Sequence, residues 1–153
     1  MIKIFSTYIV CSIISFSIAN SYAKSKSLSI VDNKDVSICL ERYGDNGSEC
    51  LSTLNDITEK KINAAYQEKL NEISYYDYHQ WWMGGSKQRE EMKDAFVRSQ
   101  KLWLAYRQDY CKSASTGAEG IKDYGAISLS CLINMGIRRI EEIKMVHPDL
   151  SDG

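Results

Sequence analysis

The sequence predicts an all-α fold, a small disulfide-stapled bundle of about four helices. Three observations carry that expectation. Apolar residues recur every three or four positions over long stretches. No useful length shows the period-two alternation of a strand, and no Asn-Gly or Asp-Gly turn lies between β-branched runs. Four cysteines, Cys39, Cys50, Cys111 and Cys131, follow a segment with the features of an export signal.

That segment covers residues 1–23. Lys3 supplies a positive start, Ile4 to Ala19 an almost uncharged apolar run, and Ser21 with Ala23 the small residues of a cleavage site, so cleavage is expected after Ala23. A membrane span needs about 20 apolar residues, and Ser12, Ser15 and Ser17 interrupt this run. No stable span is therefore expected once the signal is removed. Cys11 lies mid-run behind Ile9 and Val10, without the small residue that a lipoprotein acceptor requires, and leaves with the peptide. The destination is an oxidising one, the periplasm foremost or the exterior, where four cysteines form two disulfides. Four cysteines allow three pairings; proximity along the chain favours Cys39 with Cys50 and Cys111 with Cys131. Zinc is the competing use, but there is no C-x-x-C pair and His79 and His147 lie far from any cysteine, so no metal set is expected.

Lys3 is the only charged residue of the signal, so its loss takes 19 basic residues to 18 against 20 acidic ones, a formal charge of −2. Lysine and arginine are interspersed with glutamate and aspartate, which excludes the basic face of a nucleic-acid binder.

The elements follow in order. Residues 24–34, rich in Ser and Lys, read as a loose leader, and the helical domain as 35–147. A short first helix places Val36, Cys39 and Leu40 on one side and stops at Gly44-Asp45-Asn46-Gly47. From Cys50, Leu51, Leu54, Thr58, Ile62, Ala65, Tyr66, Leu70 and Ile73 form one stripe, with Glu59, Lys60, Glu68 and Lys69 on the opposite face. This long helix ends between Ile73 and Trp82. Gly84-Gly85 breaks the chain, Ser86 offers an N-cap, and a third helix carries Met92, Phe96, Ser99, Trp103, Tyr106 and Tyr110 towards Cys111. Lys112 to Asp123 reads as an irregular loop. A fourth helix from Tyr124 or Ala126 holds Ile127, Cys131, Leu132, Met135, Ile140 and Ile143 and stops near Val146 ahead of Pro148, leaving 148–153 as a tail.

Three segments together resemble a known family. Gln100-x-x-Trp103-x-x-Tyr106-Arg107-x-x-x-Cys111, then Cys131-x-x-x-Met135-x-x-x-Arg139, and upstream Ile62-Asn63-x-x-Tyr66 behind Cys50, resemble the lysozyme-inhibitor LprI-type N-terminal domain of bacterial envelope proteins from about Val36 to Val146. The resemblance implies the helical fold and a protein partner such as lysozyme or another cell-wall hydrolase. Gly136 departs from it, standing where the family usually has Thr, and 75–85 reads as a local elaboration. The simplest role for Trp103 and Tyr106 is to fill the core, with Arg107 and Arg139 satisfying carbonyls or carboxylates; Arg107 contacting a partner is the alternative.

No catalytic constellation stands out: G-x-S-x-G, H-E-x-x-H and a P-loop are missing, and nothing selects a pair of carboxylates. No enzymatic activity and no cofactor are expected. Two segments are candidates for partner binding. Tyr75 to Met83 is dense in aromatics, with Tyr78, Trp81 and Trp82 as the leading residues: exposed together they form a patch for a partner, and the equal alternative is that a helix end buries them against the bundle. Lys112 to Asp123, with Ser115, Thr116 and Glu119, would be closed at its base by a Cys111–Cys131 bridge and so suited to entering a cleft, although a plain surface connection without contacts is the favoured reading of such a segment. The expectation is an exported inhibitor of lysozyme or a related enzyme; the alternative is an accessory envelope module or toxin immunity protein that binds a protein or peptidoglycan partner without inhibiting it.

Overall fold

A computed structural model describes residues 33–43, 47–80 and 84–148. The signal peptide, the leader through residue 32, Trp81, Trp82 and all of the tail but Pro148 lie outside the described residues. Four helices follow one another, α1 (Lys34–Tyr43), α2 (Gly47–Tyr75), α3 (Ser86–Ser115) and α4 (Tyr124–Lys144), with 3-10 turns at Tyr78–Gln80 and Thr116–Ala118. No strand occurs among the described residues. The bundle is built on the α2–α4 pair; α1 packs on α2, and α3 lies against both α4 and α2.

The helix ends have identifiable causes. The Asn33 side-chain oxygen accepts the amides of Asp35 and Val36 at 2.9 and 3.3 Å, so α1 begins with an Asx cap. α2 ends at Tyr75 because Asp77 accepts the His79 amide at 3.0 Å and starts a new turn. Ser86 is not the N-cap of α3 that its position suggested; it is the first helical residue, and Gly85 holds the cap without a side-chain bond. α3 also runs four residues beyond Cys111. The Ser115 hydroxyl donates to the Cys111 and Lys112 carbonyls and the Thr116 hydroxyl to Lys112, supplying donors for carbonyls that the end of a helix leaves open. The expected loop over 112–123 is therefore only its second half.

Both disulfides form as proximity favoured, Cys39–Cys50 and Cys111–Cys131, with Cα–Cα separations of 5.5 and 5.6 Å. They lie in the same half of the bundle. Val36, Cys39, Leu51 and Ile133 make a core there, with Leu54, Ala126, Leu129 and Ile137 against it. The opposite half has its own core of Ile73, Phe96 and Ile143, flanked by Tyr66, Leu70, Met92 and Val146, and Tyr66 stacks on Phe96 with ring centroids 5.3 Å apart.

Between these cores α2 and α4 come unusually close. A Cβ on Gly136 would lie 2.6 Å from Thr58 Cγ2 and 2.9 Å from Ile62 Cδ1, so glycine suits the close approach of this crossing. Thr58 itself is buried and returns its hydroxyl to the Leu54 carbonyl at 2.8 Å.

Candidate partner-binding surface

The motif residues on α3 and α4 assemble a polar layer between the two cores. Arg107 is buried and its guanidinium donates to Glu59 of α2 at 2.5 Å. That pairing fixes the register of α2 against α3 and removes Arg107 from any partner's reach. Arg139 donates through Nε to Gln100 Oε1 at 2.9 Å, and through its other nitrogens to Glu142 and to the Ser99 hydroxyl. Trp103 lies under both cations, Arg107 at 4.7 Å and Arg139 at 5.6 Å from the ring, so the indole face stabilises the buried Arg107 guanidinium, whose desolvation is otherwise unfavourable, and the half-buried one of Arg139.

The remaining motif positions divide. Tyr66 joins the Phe96 stack, Met135 is half-buried, and Asn63 is exposed. Tyr106 does not fill the core: it is 56% exposed and lies against Tyr110, ring centroids 5.7 Å apart. The buried stripe of α3 instead runs Phe96, Gln100, Trp103, Arg107, Cys111, Ser115, because the polar layer and the disulfide face α2 and α4. Glu59 was missed by reasoning from the sequence, which put it on the solvent face. Lys69, assigned to that same face, is buried with its ammonium on Glu72.

Two of the six candidate binding residues are interior. Tyr78 is 1% exposed; its hydroxyl donates to Met92 Sδ at 3.0 Å, Tyr76 meets its ring edge-on at 4.9 Å, and Arg89 lies over it at 5.7 Å. Burial pushes the Tyr78 phenol above its usual pKa, with Arg89 partly offsetting the rise. Gly84 closes this packing: a Cβ there would overlap the Tyr78 carbonyl oxygen at 1.7 Å. Ser115 is wholly buried, held by its bonds to the α3 carbonyls. Neither residue presents a surface, and Trp81 and Trp82 lie outside the described residues.

Thr116 and Glu119 are exposed, on the connection between α3 and α4. Ser115 and Ala118 anchor that connection from below, the Glu119 amide donates to the Thr116 carbonyl at 3.0 Å, and the Ile121 amide to Ala118 at 3.1 Å. Ile121 is exposed beside them. The Cys111–Cys131 bridge spans the base. The connection is thus a succession of tight turns, which lowers the ordering cost of meeting a partner.

Among the described residues no group of His, Cys, Asp and Glu is arranged to hold a metal, and no helix is long and apolar enough to cross a membrane. Comparison with known proteins gives no match among curated proteins and none among solved structures. Residues 39–143, most of the chain and the span from the first bridged cysteine to the last core residue of α4, match the family described as Lysozyme inhibitor LprI. With the match spanning both bridges and the polar layer between the cores, the chain belongs to the lysozyme inhibitor LprI family.

Proposed function

We propose that this protein is exported after cleavage at Ala23, folds in an oxidising compartment, and binds and inhibits lysozyme or a related cell-wall-degrading enzyme. Membership of the inhibitor family over residues 39–143 is the observation that carries the reading. Two disulfides in one half of the bundle suit an oxidising compartment, periplasmic or extracellular. The bridged connection carrying Thr116, Glu119 and Ile121 is a rigid surface for the contact, and the protein acts by occupying its partner without chemistry of its own.

The test is titration of the oxidised protein, starting at Lys24, against several lysozymes by calorimetry, with clearance of a cell-wall suspension followed in parallel. Saturable binding with slowed clearance is expected, both weakened by Glu119→Ala with Ile121→Ser. Binding without slowed clearance would favour an accessory envelope module, and absence of binding to every lysozyme would favour an immunity factor for a dedicated toxin.

A further inference from the structure

A second feature of the bridged half is a groove of about 480 Å³ along the α1–α2 hairpin. Its floor is the Cys39–Cys50 bridge, and Ile38, Leu54 and Ile57 form apolar walls. Ile38 and Ile57 are each 43% exposed, although isoleucine is among the residues most often buried. The groove's ionisable lining residues are Asp35 and Glu49, both acidic, in the first turns of α1 and α2. Neither pairs with a cation among the described residues. The bridge and the fully buried Val36 hold the two helices together, so the site is shaped before anything enters it.

We infer that this groove is a docking site for a basic segment of the partner enzyme that carries apolar residues beside its cation. The inference rests on the inhibitor reading and assigns it a second contact besides the α3–α4 connection. Charge complementarity selects the occupant. An enzyme that cleaves an anionic cell-wall polymer is drawn to it by basic surface residues, and the groove offers carboxylates at its rim with apolar walls for the stems and neighbours of such residues. An acidic or purely apolar segment would leave Asp35 and Glu49 repelled or unpaired.

The experiment uses isotopically labelled, oxidised protein titrated with two probes, a cationic lysozyme and the peptide acetyl-Leu-Arg-Leu-Lys-Leu-amide, following backbone amide resonances. Both probes are expected to shift amides of Asp35–Cys39 and Glu49–Ile57. Asp35→Asn with Glu49→Gln weakens both by about tenfold and flattens the dependence on salt. Ile57→Arg, a separate variant at an exposed position, weakens both to a similar degree, with helical circular dichroism unchanged. Shifts confined to 116–123 with the groove amides silent, or variants that bind as the unaltered protein does, would overturn the assignment. Peptide binding in the groove without lysozyme binding would retire the lysozyme reading and leave the docking site standing; binding of neither probe would remove both.

Discussion

The two halves of the bundle are held together by different physics. In the bridged half, short helix α1 and the α3–α4 connection are tied to the bundle by Cys39–Cys50 and Cys111–Cys131, which stabilise them by restricting the unfolded chain. In the other half α2, α3 and α4 meet through Phe96, Tyr66, Ile73 and Ile143, and among the described residues no bridge is present there. The contrast teaches where stability and recognition separate. The aromatic half is held by burial; the bridged half adds two covalent ties to its own core of Val36, Cys39, Leu51 and Ile133 and exposes Ile38, Ile57 and Ile121 on shaped backbone.

Reduction gives the largest expected break in this comparison. Losing both bridges costs about 2–4 kcal/mol each, and hydrogen exchange should speed up first at 35–57 and 116–123 while amides around Phe96 stay protected. Uniform exchange over both halves would show that the bridges serve the whole bundle. Next is Phe96→Ala, expected to cost about 3–5 kcal/mol, with an equal loss under oxidising and reducing conditions by chemical denaturation; a loss that depends on redox state would couple the halves.

Gly136→Ala sharpens the boundary between them. The new methyl meets Thr58 and Ile62 at the α2–α4 crossing, and overpacking of about 1–3 kcal/mol is set against a helix-propensity gain of about 1 kcal/mol. A net loss of about 1 kcal/mol is expected, and Thr58→Ser, which removes the closer of the two contacts, should recover most of it in thermal melts.

The smallest effect is alkaline. Burial raises the Tyr78 pKa, so above about pH 10 the unfolded chain loses this proton while the folded one keeps it. The contribution is complete below the unfolded value and is lost as pH rises through the folded one. Tyr78→Phe should therefore show a weaker decline of stability between pH 9 and about 11 than the unaltered protein in denaturant titrations.

Much of the fold was legible because helical spacing and cysteine proximity are local signals. Leu51, Thr58, Ile62 and Ile73 are buried as their stripe implied, and the resemblance in Gln100, Trp103 and Arg107 pointed to the right family. The surface was much less legible. Tyr106 and Ser115 exchange the places expected of them because α3 turns its polar motif residues inward, where Glu59 of α2 and Arg139 of α4, distant in the sequence, supply their partners. Spacing leaves Tyr78 open between an exposed patch and a buried helix end, and it is Gly84 and Met92, both distant from it in helical register, that enclose the ring. The α1–α2 groove has no sequence motif at all, since Asp35, Ile38, Glu49 and Ile57 come together only when the Cys39–Cys50 bridge folds one helix onto the next.

The most direct test of the central claim, that this family member meets its enzyme through the bridged half, is hydrogen–deuterium exchange of the oxidised protein with and without saturating lysozyme. The account predicts new protection at 35–57 and 116–123 with little change across 66–80 and 84–96. Protection confined to the aromatic half, or none in either, would contradict it.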